Sequence, residues 1–341
     1  MNKLFSLIFA GLLTLAISPA RAETTADTVR IGSLSNPSGL AVQPETGHVF
    51  VSDSAAGKII RVVDGKAEDV VVGFPKDVYG KGPMYDIGPL GLAFWDKDTL
   101  VVGDGSFVDG EEYVRVFTVP AAGKPALNFD KDAKAKLGPL PEKDGLKPEG
   151  NFYAIAVGKT AVYISSNGDD TKGWVLKADV TGTKFGELTR YIATKEAVEV
   201  DAPVGITIGP DGDVVVGQMG EINKPKDSLL TFYSAKTGKK LLNLETGLYD
   251  ITGLAYSPKT KQLYALDFAW MSAGDGGLYR LDKSNADGKQ GIKATKILAL
   301  DKPTALAFGK DGELYITVVG PKKDSENAPK EGALLKIAPG L

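Results

Sequence analysis

The chain of 341 residues has no cysteine and a single histidine, His48. Without thiols there is no disulfide, no thiolate nucleophile and no cysteine-ligated metal, so the fold must rest on its core alone even in an oxidising compartment. With one histidine, Ser-His-Asp hydrolysis and multi-histidine zinc sites lose their parts. Positive charge is not in excess: 40 Lys and Arg face 43 Asp and Glu, a formal net charge of −3. That balance argues against nucleic acid or an anionic membrane as partner. Past the N-terminus no apolar run approaches the ~20 residues of a spanning helix. Gly103-Asp104-Gly105-Ser106 lacks the strand–loop–helix context of a phosphate loop.

The N-terminus reads as a leader. Lys3 supplies a positive start, Leu4 to Ile17 an apolar stretch too short to span, and Ala20-Arg21-Ala22 an A-x-A cleavage site. Residues 1–22 are therefore expected to be a signal peptide and residues 23–341 the working domain, secreted or periplasmic. Lys3 and Arg21 leave with the leader, taking the net charge from −3 to −5. No lipobox cysteine is present, and no membrane insertion is expected.

What the chain has in quantity is one short pattern, repeated six times. A small–large–small–large strand is followed by a tight turn and a second apolar strand that ends near a polar residue. The copies begin at Gly39, Gly91, Ala154, Gly205, Gly253 and Ala305, with spacings of 52, 63, 51, 48 and 52. A period near 50 built from short strands predicts an all-β, six-bladed β-propeller of four-stranded antiparallel blades. Third strands follow at Lys58 to Val63, Tyr113 to Thr118, Trp174 to Ala178, Leu229 to Tyr233, Leu278 to Leu281 and Leu334 to Ile337. Weaker fourth strands follow at Asp69 to Val72, Leu188 to Ile192 and Ala294 to Leu298. The sixth copy ends at Leu341 without a fourth strand, and Thr28-Val29-Arg30-Ile31 precedes the first copy. The N-terminal strand is thus expected to complete the last blade and close the ring, which removes free sheet edges.

Pro37-Ser38-Gly39-Leu40-Ala41-Val42, then Val49-Phe50-Val51-Ser52-Asp53 and Lys58-Ile59-Ile60-Arg61-Val62, resembles an NHL repeat, as does Ala202-Pro203-Val204-Gly205-Ile206 with Pro210-Asp211-Gly212-Asp213-Val214. The wider resemblance is to the six-bladed group that includes the SMP-30/gluconolactonase and strictosidine-synthase-like proteins. The resemblance implies a propeller that either binds or catalyses. Metal-dependent lactonases of that group place a Glu at the first inner strand, with Asn and Asp ligands from later blades. Here the first position reads Asn36-Pro37-Ser38-Gly39, without an acid, while Asn167, Asp201 and Asp250 stand where later ligands would. Strictosidine-synthase-like chemistry uses a Glu base, a role for which Glu149 is the candidate.

Strand alternation sorts the loops by face. Turns between first and second strands are short, as in Gly209 to Asp213, and carry Gly where a positive φ is needed. Loops after the second strands and between blades lie on the opposite face, called X here, and are long: Asp104 to Glu112, Gln218 to Asp227, Asp267 to Gly277, Val319 to Glu331, Phe74 to Pro89 and Pro141 to Asn151. Long loops on a rigid scaffold carry function. His48 falls on the other face, Y, in a first turn, where a structural role is expected.

Face X also gathers oxygen. Asp53, Asp104, Asn167, Gln218 and Asp267 end second strands; Asn36, Asp86, Glu149, Asn151, Asp201, Asp250 and Asp301 precede first strands. Two readings stay open: a shared ring able to orient a polar ligand or hold Ca²⁺, which takes six to eight oxygens, or separate turn caps bonded to their own backbone. The metal candidates are Asn167, Asp201, Asp250 and Asp267, and the catalytic candidates Glu149 and Asp201. Asp267-Phe268-Ala269-Trp270-Met271 offers two aromatics as a stacking platform or as a lid over the blade. Ligand contact is assigned to Asp104, Asn167, Gln218, Asp267, Phe268 and Trp270. The leading expectation is an exported binding or scaffold module that presents face X to a protein, peptide or glycan; the alternative is a Ca²⁺-dependent lactonase or hydrolase. Trp95, Trp174 and the charge-dense Lys322 to Lys330 read as packing and as a solvated loop.

Overall fold

The computed structural model describes residues 31–80, 84–167, 171–272, 274–286, 288–319 and 332–341. The leader, residues 28–30 and the segment 320–331, which includes Lys322 to Lys330, lie outside the described residues.

Apolar alternation with β-branched and aromatic residues produces six antiparallel sheets among the described residues. Their first strands are Pro37–Val42, Pro89–Phe94, Phe152–Val157, Pro203–Ile208, Ile251–Tyr256 and Pro303–Phe308. Each pairs with the second strand of its repeat, and that with the third. The last blade is completed by Ile31–Leu34, which lies antiparallel to Gly332–Ile337 with Ile31 opposite Leu334 and Leu34 opposite Gly332. The N-terminal strand therefore closes the ring, and it runs on to Leu34, three residues past the segment singled out in the sequence.

Blade 2 departs from the simple repeat. After Val114–Thr118 the chain crosses back so that Leu127–Asn128 adds parallel to the outer strand Lys66–Val72 of blade 1. Only then does it return as the outer strand Ala135–Leu137. This excursion accounts for the spacing of 63 residues between the second and third copies. Blade 5 extends outward as a long hairpin, Gly277–Ala286 with Lys289–Ala299.

The core lies between neighbouring blades. Phe50 and Ile59 of blade 1 meet Leu92, Leu100 and Phe117 of blade 2, all buried; each such side chain contributes about 1.5–3 kcal/mol on burial. The small residues of the first strands are required there. A Cβ on Gly39 would sit 1.8 Å from the Leu90 carbonyl oxygen, and one on Gly253 2.6 Å from Leu306. Hydroxyls fasten blade to blade: Ser52 donates to the Leu90 carbonyl at 2.7 Å, Ser165 to Val204 at 2.7 Å, and Thr252 to Pro303 at 2.8 Å.

Candidate functional site

In all six blades the pairing of first and second strands slips by a residue near the start of the first strand, between Pro37 and Gly39 and at the equivalent places. A bulge re-aims side chains and is common beside functional sites. The residues at these slips, Ser38, Leu90, Tyr153, Val204, Thr252 and Thr304, come together as the floor of a cavity at the X end of the central channel. Just before the floor, Asn36 and Asn151 adopt left-handed backbone, with φ of 46° and 51°, a conformation asparagine tolerates better than most residues.

The cavity holds about 60 Å³, and its upper wall is aromatic. Phe268 and Trp270, from the loop after the second strand of blade 5, lie 5.1 Å apart between ring centres. Tyr79 and Tyr85 come from an added hairpin between blades 1 and 2, Asp77–Tyr79 with Tyr85–Ile87. Tyr85 meets Trp270 edge-on at 5.5 Å and Phe268 at 6.3 Å, and Tyr79 meets Trp270 at 6.4 Å. Rings from opposite sides of the propeller thus interlock over the channel mouth. Phe268 and Trp270 cover the channel mouth and form a wall of the cavity.

Trp270 is gripped at both ends of its residue. Its backbone N–H donates to Asp250 at 2.5 Å, and its carbonyl accepts from the Lys302 ammonium at 3.0 Å. The same ammonium lies 4.9 Å over the Phe268 ring. Burial pushes the Asp250 carboxyl up to about 7 and the Lys302 ammonium down.

Asn167, 4% exposed, reaches the cavity from the end of blade 3's second strand. Its Nδ2 donates to the Tyr79 hydroxyl at 3.3 Å, while its Oδ1 is buried with no hydrogen-bond partner among the described residues. Asn36 likewise directs its Nδ2 elsewhere, to the Asp86 carbonyl at 2.8 Å. Asn151 is held from below by Glu112, whose Oε1 accepts its backbone N–H at 2.7 Å. The Glu112 carboxyl fills the space that a side chain on Gly150 would need, and burial raises it well above the usual carboxylate range.

Most of the other polar groups of the sequence-derived ring are engaged locally. Asp104, fully buried, pairs with buried Arg115 and caps Ser106 at 2.9 Å. Arg115 in turn lies among Phe107, Tyr113 and Phe129. Gln218 bonds the Val200 carbonyl at 2.6 Å and Thr231 at 2.9 Å. Asp267 accepts backbone N–H groups of Tyr249, Asp250 and Ala269. Glu149 accepts from Thr171, Lys172 and Gly173 at 2.6–2.7 Å, and burial raises its carboxyl. Asp201 pairs with Lys195. Of the residues assigned to ligand contact, the structure brings Asn167, Phe268 and Trp270 together; Asp104, Gln218 and Asp267 do not line the cavity. Among the described residues no group of three or more Asp, Glu or His converges on one point.

Tyr79, Tyr85 and Glu112 are the site residues that sequence reasoning missed. The available signal was Tyr79-Gly80-Lys81-Gly82-Pro83-Met84-Tyr85, two tyrosines flanking turn residues in an interblade stretch on face X. Below the cavity the channel widens to about 440 Å³ toward face Y, between the first strands. His48 sits half-buried in a face-Y turn closed by the Gln43 N–H on its carbonyl at 2.8 Å. Trp95 packs on Phe185, and Trp174 is a core residue.

No family model matches the sequence, and no curated protein matches it. Solved structures do match in shape. A protein of Thermus thermophilus named as an oxidoreductase (glucose dehydrogenase) aligns over 92% of this chain and 99% of its own, with a TM-score of 0.62 and 16% identity. A gluconolactonase of Xanthomonas campestris aligns over 91% and 88%, with a TM-score of 0.55 and 14% identity. A luciferin-regenerating enzyme aligns over 92% and 96%, at 0.57 and 11% identity. The chain has the gluconolactonase-like six-bladed propeller fold. At these identities the likeness extends to the fold and no further, because one fold hosts many activities.

Proposed function

We propose that the protein is an exported binding propeller that takes a small ligand, or one protruding group of a larger partner, into the aromatic cavity at the mouth of face X. The observation that carries this reading is the buried Asn167 Oδ1, which has no hydrogen-bond partner among the described residues and belongs to a cavity walled by four aromatic rings. An unsatisfied buried acceptor costs about 1–3 kcal/mol, which a ligand donor would recover. Small-molecule sites have this make-up: a mostly apolar concavity with few convergent polar groups.

A hydrolase acting at the same mouth is the second reading, favoured by the shared fold of proteins named as gluconolactonases. Its metal candidates Asn167, Asp201, Asp250 and Asp267 would have to leave the partners they hold here to meet at one ion. A thermal-shift screen of small organic cations, anions, neutral alcohols, sugars and lactones tests both readings. Binding should fall at least tenfold in Trp270→Ala and Asn167→Ala and stay unchanged in Asp211→Ala on face Y. Ligand effects that ignore Trp270 and Asn167 would sink the cavity reading. Lactone turnover lost in Asp201→Ala or Glu149→Ala would establish the hydrolase instead.

A further inference from the structure

The chemistry of the cavity wall narrows the class of ligand, given the binding reading above. Four rings surround the mouth, and the faces of aromatic rings carry partial negative charge. No Lys or Arg is among the lining residues. Two lining amides have their donors engaged, Asn167 Nδ2 on the Tyr79 hydroxyl of the cavity wall and Asn36 Nδ2 on the Asp86 carbonyl, and Asn167 Oδ1 is left as an acceptor with no partner among the described residues. A carboxylate stands close by, since the charge of Asp301 adds to burial in holding the Tyr85 phenol at about 12. One cation already lies against the cluster: the Lys302 ammonium is 4.9 Å over the Phe268 ring and donates to the Trp270 carbonyl.

Size points the same way. At ~10–15 Å³ per enclosed water, about 60 Å³ admits roughly four to six non-hydrogen atoms. A hexose ring is too large to enter whole, whereas a trimethylammonium head is the right size. Desolvated cation–π contacts favour such a group over an uncharged one of equal shape. We infer that the cavity selects an organic ammonium head group, quaternary or alkylated, seated among Tyr79, Tyr85, Phe268 and Trp270 with Asn167 Oδ1 facing its positive methyl or N–H groups.

The test compares choline with its uncharged isostere 3,3-dimethylbutan-1-ol by isothermal titration on the full-length mature protein at constant ionic strength. Choline is expected to bind at least tenfold more tightly than the alcohol, with the preference lost in Trp270→Ala. Trp270→Phe, which keeps a ring, is expected to retain part of it and guards against loss of fold in the alanine variant. Equal or tighter binding of the alcohol would overturn the ammonium inference and leave the cavity as a ligand site. Binding of neither compound, while another member of the screen binds through Trp270 and Asn167, would overturn it too. Binding of nothing at all through those residues would remove the binding reading itself.

Discussion

Thr304 donates its hydroxyl to the carbonyl of Pro37 at 2.6 Å across 267 residues of sequence. The contact ties the first strand of the last blade to that of the first, so the seam is fastened at the channel as well as by Ile31–Leu34 at the rim. Removing residues 23–34 should therefore expose the edge of Gly332–Ile337 and abolish a single sharp thermal transition. Thr304→Val also breaks the contact with the Thr317 hydroxyl and leaves the buried Pro37 carbonyl without this donor, and should cost about 1–3 kcal/mol. A truncated chain that melts as sharply and as high as the intact one would contradict this account of closure.

Arg115 and Asp104 form an ion pair with both side chains almost wholly buried. Removing one partner strands the other charge, at a cost of about 3–5 kcal/mol. Arg115→Ala should show that loss in denaturant unfolding while leaving ligand affinity in the surviving folded fraction unchanged. A loss of affinity at unchanged stability would return Asp104 to the binding site.

Stability should fall as pH rises from about 4 to about 7. Burial raises the carboxyls of Glu112, Glu149, Asp250 and Asp267, with Asp250 reaching about 7. In the unfolded chain these groups lose their protons near pH 4, while the folded chain still holds them, so the folded state binds more protons across that window. Their stabilising effect is complete below the unfolded values and is lost as pH climbs through the folded ones. Melting temperatures at pH 5 and pH 8 measure the slope, and Glu112→Gln should flatten it. A rise in stability from pH 5 to pH 8 would contradict this account, because carboxylates held below their usual range, such as Asp96 and Asp275, are already ionised in both states across that window.

Added Ca²⁺ or a chelator should shift the melting temperature of the mature protein by less than a degree, because Asp201, Asp250 and Asp267 already have ammonium or backbone N–H partners. A ligand present at a hundredfold excess over its Kd would add about 2.7 kcal/mol. A rise of that size, abolished by Asp250→Asn, would reveal a divalent site formed by rearrangement.

Gly39→Ala should disrupt the seam between blades 1 and 2, since the new methyl would land 1.8 Å from a backbone oxygen. Overpacking at such a place costs about 1–3 kcal/mol or more. Gly65→Ala, at a turn with open space around it, should show only the smaller strain of its positive φ. Equal melting of the two variants would mean that the blades are not packed this closely.

Blade number, strand order and closure were legible because each is written in apolar alternation at a repeating spacing. The cavity was legible only in part. Phe268 and Trp270 stood out as aromatics in a polar loop, but their partners Tyr79 and Tyr85 lie in a stretch with no counterpart in other repeats, and contact across the ring leaves no local trace. The acidic residues were ambiguous for a different reason. Asp104 beside Arg115 and Asp267 beside three backbone N–H groups have the same residue type and repeat position as ligands would. Only distance separates a cap from a ligand. The exchanged strand Leu127–Asn128 was invisible because two residues carry no period.

The six pairing slips mean that the base of the cavity is assembled from one residue per blade, each at the same place in its repeat. Ser38, Leu90, Tyr153, Val204, Thr252 and Thr304 differ widely in size and polarity, yet each is held by the same backbone geometry. Recognition and scaffold are thereby separable at some of the six and joined at others: Leu90 and Val204 can change without breaking a bond between blades, whereas Thr252 and Thr304 also fasten the neighbouring blade. Repetition of a single unit thus supplies one side chain per blade around one axis, some free to set a ligand preference and some already committed to holding the ring.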